Sequence, residues 1–546
     1  MKVMRILAVC SLACAAFAAV VRAQQSNRRE MYLGIPTKQK PALPLSPPSG
    51  LQDHVANGKL VLALDDTIRL ALANNTDIHL NYSEVEFAQN NLHRAYQPFD
   101  PLATASFSDI RAKSPTTTQI QGAPILSSLV QETSFGYLQT FQTGTSFQTT
   151  FTTDKLSTND SFSFVNPSIS TTLQFTITQP LLRNFGLFPN RAPILIAQRN
   201  LHQAHAAFQG EVNDTILEAV GLYWNVVLAR ENLTVQRKSL EEAQKSYDRD
   251  KKALGLGALP PLDIYRSESQ VASRRVGVIQ AEYGLKLAED QFKQSIGADL
   301  DPAIRVLDLE LTEQPEPNVA LIDMDIPTAL ARALLNRPEL TAAKEALAGD
   351  EMLVRLAHNN LRPDLELSGF YSGNGIAGNQ FVTALPPIIN KTGLGTGLSQ
   401  AFQFTYPAYG ATLSLTLPVK NHGAEADLGD ALVNRRRDQY QQRQTGQTIE
   451  LEITNAVHSL EEAKLTMEAA KIADDLAQKN LHAEERKYEL GSQTVFFVLD
   501  AQTQLAQAEL SLVQAQISYQ LAVASVDHAT GDLLDHHHVQ IQDPPK

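Results

Sequence analysis

Between Leu173 and Thr178 apolar and polar residues alternate, with Leu173, Phe175 and Ile177 on one side and Gln174, Thr176 and Thr178 on the other. That alternation is the signature of a half-buried strand. After Pro180 and Gly186 the period becomes helical and holds from about Pro193 to Leu254. These two breakers let the direction and the hydrogen-bonding pattern change. A second strand of the same kind places Ala411, Leu413, Leu415 and Leu417 opposite Thr412, Ser414 and Thr416, and a helical pattern from about Ala424 to Leu490 follows it. At 1.5 Å per residue such a helix is roughly 100 Å long, far beyond the average globular helix.

Within that helix Ile449, Ile453, Ala456, Leu460, Ala463, Met467 and Ala470 are spaced alternately four and three residues apart, which is coiled-coil spacing. A second apolar line, Leu465, Ile472, Leu476 and Ala483, follows a different face. Two seams predict a neighbour on each side, as in a wall of helices. Two shorter helices, Thr76–Gln97 and Leu262–Ile296, laid end to end nearly equal the first long helix, so together they would line it. Heptads alone also suit a soluble antiparallel bundle, and the strands discriminate. Their polar sides are uncharged Thr, Ser and Gln, which favours an outer-membrane barrel over a periplasmic β-sandwich.

Four such strands, an upward and a returning one in each half, do not close a barrel, because the smallest bacterial ones use about eight. Further copies of the chain are therefore expected to remove the sheet edges. Phe135, Tyr137 and Phe141 before "QTGTS", with Phe147 and Phe151 after it, form another hairpin pattern. That pair either adds two strands to the chain's share of the barrel or folds back in the extracellular loop.

The chain reads as a duplication. "ALANNTDI" from Ala71 matches "ALLNRPEL" from Ala333 at an offset of 262, which also carries Ala95 onto Ala357 and Pro101 onto Pro363. "KKALG" at Gly255 answers "KYELG" at Gly491, and "SIGAD" near Gly297 answers "ATGD" near Gly531. Each half then runs helix, strand, loop, strand, very long helix, turn, helix. The expected divisions are a leader at 1–23, a Pro-rich extension at 24–60, a first repeat at 61–298, a linker at 299–327, a second repeat at 328–534 and a polar tail at 535–546.

Composition narrows the class. The formal net charge is −13, which argues against nucleic acid as a partner. Lys2 and Arg5 precede an apolar run from Ile6 to Val21 and then "VRA", the pattern of a secretory signal peptide cleaved after Ala23. Its run is shorter than the ~20 residues a membrane span needs, and no later run is long enough. Cys10 and Cys14 are the two cysteines. Cys14 hints at a lipoprotein site, but the apolar run continues past it, and cleavage after Ala23 leaves no thiol and no thiolate metal site. No phosphate-binding loop or metalloprotease spacing is present, and His536 to His538 sit in a polar tail. Neither a catalytic site nor a cofactor or metal is expected.

The duplicated unit behind a signal peptide resembles the TolC-type outer-membrane efflux protein family from about Leu60 to Leu534. The local patterns that carry the likeness are "ALLNRPEL", "YWNVVLARENL" (Tyr223 to Leu233), "QPLLRNFG" and "KYELGSQTVFFVLDAQTQLAQAEL" (Lys487 to Leu510). The resemblance implies a mixed α+β membrane protein: a trimeric outer-membrane β-barrel continuous with a long periplasmic α-helical barrel, built from two internal repeats. It implies outer-membrane lipid around Leu173, Phe175, Ile177, Leu413, Leu415 and Leu417. It further implies a homotrimer that meets a periplasmic adaptor and an inner-membrane transporter as the outer duct of an efflux or type I secretion system. The turns at Gly255, Leu256, Gly491 and Ser492 would then be the tip that the adaptor engages. Asp474, Asp475, Glu484 and Glu485 are candidates for an acidic gate near it, against the plainer role of a solvated helix face. A soluble periplasmic helical scaffold without a pore is the alternative.

Overall fold

The computed structural model describes residues 48–116, 121–256, 264–316, 322–381 and 388–537, and all that follows concerns the compact unit that starts at Gly50. The leader at 1–23, most of the 24–60 extension, Pro260, Pro261 and His538 lie outside the described residues.

Two short strands, β1 (Val55–Ala56) and β2 (Lys59–Leu62), lead into α1 (Leu64–Asn74) and α2 (Thr76–Ala95). Four long strands come next: β3 (Leu102–Pro115), β4 (Ile125–Thr140), β5 (Ser146–Thr158) and β6 (Val165–Pro180). The chain then enters α3 (Leu187–Gly255, 69 residues) and returns in α4 (Ile264–Ser295). After β7 (Asp308–Leu311) the second half follows: α5 (Ile326–Asn336), α6 (Pro338–Asn360), β8 (Asp364–Phe381), β9 (Ile388–Lys391), α7 (Leu394–Phe402) and β10 (Tyr406–Thr416). It ends in α8 (His422–Glu489, 68 residues) and α9 (Val495–Thr530).

The strands form one antiparallel sheet in the order β10-β8-β6-β5-β4-β3, with β9 beside β8. The hairpin pattern around Phe135 and Phe151 is therefore part of this sheet, as β4 and β5, and the chain contributes six strands to the path. At the junction with the helices Pro180 ends β6, Asn184 is left-handed at φ 60° and Gly186 has φ 91°, so the backbone turns within a few residues. Arg183 ties this corner to the other half through Asp364 Oδ2, and the Asn184 amide donates to Asn359 Oδ1 at 2.9 Å.

The helices form four parallel rows. α3 touches α2, α4, α6 and α9, while α8 touches α6 and α9. The start of α2 abuts the end of α4, where Asn75 Nδ2 reaches the Ser295 carbonyl at 3.5 Å. Likewise the α5–α6 corner meets the end of α9, where Arg337 Nη1 reaches the His528 carbonyl at 3.4 Å. The row order is thus α2 with α4, then α3, then α6 with α9, then α8. Ile449, Ile453, Ala456, Leu460, Ala463 and Met467 are all buried in one cluster with Ala515, Tyr519 and Ala522 of α9, and Ala470 packs against it. The second line on α8, Leu465, Ile472 and Leu476, is exposed, as are Leu80, Phe87, Tyr283 and Leu287 on the opposite flank.

Around the middle of the rows sits a separate core. Tyr223, Trp224 and Phe292 pack with Leu60, Leu62 and Ile68 beneath the small sheet β1-β2-β7. The stretch 299–327, expected as a linker, therefore contains a strand that pairs in parallel with β2. Its two inward leucines, Leu309 and Leu311, are too few to read as a strand among the surrounding prolines. No helix among the described residues is long and apolar enough to cross a membrane.

Candidate functional site

Side chains alternate across a strand, so the register assigns every residue of the large sheet to one of two faces. Phe175 pairs with Tyr371, and Tyr371 with Tyr409. Leu173, Phe175, Ile177, Leu413 and Leu415 consequently share one face, and Leu417 continues it just past the end of β10. Phe135 opposite Phe151, and Phe147 opposite Ile177, extend the same apolar face into β4 and β5. From Tyr409 to Leu417 the apolar stretch measures roughly 26 Å along the strand, about 20 Å along the membrane normal at a tilt of about 40°, most of the band of about 25 Å typical of outer-membrane barrels. Beyond it, at the end far from the helices, the same face turns polar with Asp109, Gln131 and Lys155 in register.

The other face is mostly polar, with Ser106, Ser134, Thr150, Thr172, Gln174, Thr176, Ser368 and Thr412 and hydroxyl contacts such as Ser106 to Ser134 at 2.8 Å and Thr178 to Ser368 at 3.0 Å, though Leu102, Leu138 and Phe370 interrupt it near the helices and Ile110, Val130 and Leu156 farther out. One face is thus suited to lipid and the other to water. The candidate lipid-facing residues are not equally open. Leu413 is 64 % exposed, whereas Leu173 is only 8 % exposed because α7 lies over it. Thr171 Oγ1 donates to the Gly397 carbonyl at 2.7 Å, and Phe402 stacks on Phe151 at 5.8 Å. Gly373 and Gly375 make this approach possible, since a Cβ at either would lie 2.2 Å from a carbonyl oxygen of α7.

At the opposite end of the molecule the long helices turn back. Gly491 is left-handed at φ 70°, with its amide bonded to the Tyr488 carbonyl at 2.9 Å and the Ser492 amide to the Lys487 carbonyl at 3.0 Å. This is a Schellman cap. Gly255 differs: it remains the last residue of α3 in a right-handed conformation, and Leu256 after it is 86 % exposed. The two long helices thus end differently, though Gly255, Leu256, Gly491 and Ser492 all sit at the same end of the rows.

One turn inward lies a polar cluster that joins all four rows. Asp250 of α3 is fully buried. Its carboxylate accepts from Ser267 Oγ of α4 and from the Tyr488 hydroxyl of α8, the latter at 3.1 Å. Arg249 Nε stands 3.6 Å from the same carboxylate, and its guanidinium lies 4.5 Å over the Tyr488 ring. Gln502 of α9 donates to Ser246 Oγ at 3.1 Å. Burial, and then the Asp250 charge, push the Tyr488 phenol up, so the hydroxyl stays a donor at any physiological pH. Sequence reading overlooked this cluster, although a signal was present. Ser239, Ala243, Ser246 and Asp250 are spaced four, three and four along the buried side of α3, which places a carboxylate on a seam of small residues.

The four acidic candidates are spread along the last part of α8. Asp475 pairs with Lys479 and Glu484 with Lys487, each at 2.6 Å, while Glu485 lies 3.7 Å from His482. Asp474 accepts from Gln478, and burial, followed by the Glu509 charge, pushes its carboxyl up. Asp475, Glu484 and Glu485 are engaged along their own helix, whereas Asp474 also faces Glu509 of α9 and Lys238 of α3. Elsewhere in the wall, burial and then the Asp438 carboxylate of α8 raise Asp350 of α6 to about 6. Among the described residues no group of three or more His, Cys, Asp or Glu is placed to hold a metal.

Comparison with known proteins agrees with this geometry. The family model described as "Outer membrane efflux protein" matches residues 145–298 and 329–532. Nodulation protein T of Rhizobium leguminosarum bv. trifolii is 21 % identical over 350 residues, spanning 64 % of this chain and 69 % of that protein. Outer membrane protein TolC of Escherichia coli (strain K12) is 24 % identical over 349 residues, spanning 60 % and 63 % of the two chains. The crystal structure of the Campylobacter jejuni CmeC outer membrane channel superposes with a TM-score of 0.61 at 17 % identity, covering 86 % of each chain.

Proposed function

Since the chain belongs to the outer membrane efflux protein family and is an outer-membrane protein of the TolC-like kind, we propose that it forms one third of a passive exit duct. Three copies close the sheet into a barrel with the apolar face to lipid and the hydroxyl-rich face to a water-filled lumen. Their helical rows continue that lumen as a tunnel across the periplasm. Cargo enters from an inner-membrane transporter and a periplasmic adaptor that meets the turns at Leu256 and Ser492.

The observation that carries this reading is the sheet. It carries an apolar band on one face and is mostly hydroxyl-bearing on the other, and its two outer edges, on β3 and β10, are unpaired among the described residues. Such edges invite pairing, and only closure satisfies backbone groups in lipid. The exposed apolar lines on α8 and on the α2–α4 row supply matching flanks for the helical wall, and the duplication read from the sequence supports a pseudo-repeated wall. At rest the tip is held by Asp250, whose partners lie on α4 and α8. Mass measurement on protein extracted from outer membranes in mild detergent tests the assembly: three copies are expected, and a stable single chain would exclude a shared barrel.

A further inference from the structure

We infer that the β4–β5 hairpin is a barrel insert that makes the membrane segment as wide as the helical tunnel, giving a closed barrel of 18 strands. This rests on the three-copy reading above and adds to it the strand number and the bore.

Three observations place the hairpin in the wall rather than in an external loop. Its strands are fully registered between β3 and β6, with Phe135 on Phe151 and Phe151 on Leu173. Its turn, Phe141 to Thr145, returns to the helical end of the sheet. There Gln139 Nε2 donates to the Phe99 carbonyl at 2.8 Å, and Gly144, at φ 86°, lies so close to Asn184 that a Cβ would come within 2.8 Å of its carbonyl. Its apolar side chains continue one aromatic row across the strands, Tyr137 to Phe147 and Phe147 to Phe175, each at 6.4 Å. A hairpin in water would have no use for that row.

The widths then match. Strands about 4.8 Å apart and tilted by about 40° each take about 6.3 Å of circumference, so six cover about 38 Å. Four helical rows at about 9.5 Å cover the same arc. Four strands at the same tilt would cover only about 25 Å and would need a much steeper tilt to span the same arc. Because the insert is an even pair, β3 still leaves the helical end and β10 still returns to it, so β10 of one copy meets β3 of the next antiparallel. Eighteen strands at this tilt give a backbone diameter of about 36 Å. The side-chain layer leaves a lumen of roughly 25 Å, wide enough that the membrane segment does not sieve what the helical tunnel admits.

Electron cryomicroscopy of the full chain in lipid nanodiscs tests the inference, together with a variant lacking residues 121–160, which keeps the β3–β6 register. The expected wild-type map has 18 strands and no narrowing at the helix–sheet junction, and the variant has 12 strands and a cross-section reduced about twofold. A three-copy particle whose wild-type barrel has 12 strands, with residues 125–158 outside it, overturns the inference and leaves the trimer standing. Six strands per chain in another copy number overturns the three-copy reading and the count of 18 with it, while keeping the hairpin in the wall.

Discussion

Replacing Tyr488 with phenylalanine removes one hydroxyl from the tip and little else. That hydroxyl donates to Asp250 Oδ1 at 3.1 Å, and the carboxylate has no exposure to water that could replace it. A hydrogen bond to a charged group is worth about 1.5–3 kcal/mol, so the balance between α3 and α8 held together and parted should shift by roughly 10- to 150-fold. Arg249 keeps a ring beneath it, since phenylalanine also attracts a cation through its face, and Asp250 keeps Ser267. The substitution therefore reports on the α3–α8 link alone. Single-channel recording of the purified protein in planar bilayers is the assay, with sedimentation as the check that assembly is unchanged. The open fraction should rise at least about tenfold, and adding Ser267→Ala should raise it further. Unchanged openings in both variants would mean that the cluster supports the helices without latching the tip.

Three further outcomes are expected. Leu413→Arg, at the centre of the apolar band on β10, should cost about 2–4 kcal/mol in urea unfolding from outer-membrane vesicles, while Thr412→Arg on the polar face costs far less; equal losses would overturn the face assignment. Asp350 holds its proton up to about pH 6 in the folded chain and only to its ordinary 3.8 when unfolded. Its contribution is therefore fully present below about pH 4 and lost as pH rises through 6. Asp350→Asn should raise the thermal midpoint at pH 8 and leave it unchanged at pH 4, and a gain independent of pH would refute the assignment. Ser492→Glu alters the tip surface while keeping the Gly491 cap, and it should reduce capture of the periplasmic adaptor without changing the copy number. Full capture by that variant and by Leu256→Glu would move the docking surface elsewhere on the helices.

The long periodic elements were the most legible part of the sequence. The seam from Ile449 to Met467 is buried as its spacing predicts, and the alternation at Leu173 and Leu413 places both on one face. Strand number was less so, because the β4–β5 hairpin carries only a few aromatic residues among many Thr and Ser, and loops of that composition read the same way. Coverage of Leu173 by α7 depends on glycines in β8 meeting a helix about 25 residues later, a pairing no local period encodes. The Asp250 cluster was hidden for a related reason. Its members are each ordinary in sequence and become a site only where four helices converge, whereas Asp474, Asp475, Glu484 and Glu485 are conspicuous in sequence as acids close together.

The central claim is that the sheet crosses the outer membrane while the helical tip stays inside it. Cys10 and Cys14 are the chain's two cysteines, so with both replaced by serine single introduced thiols report position cleanly. Phe162, 71 % exposed in the turn between β5 and β6, and Ser492 at the tip mark the two ends. With a membrane-impermeant maleimide on intact cells, Phe162→Cys should react and Ser492→Cys should react only after the outer membrane is permeabilised. Both thiols shielded until permeabilisation would contradict the account and place the whole chain in the periplasm.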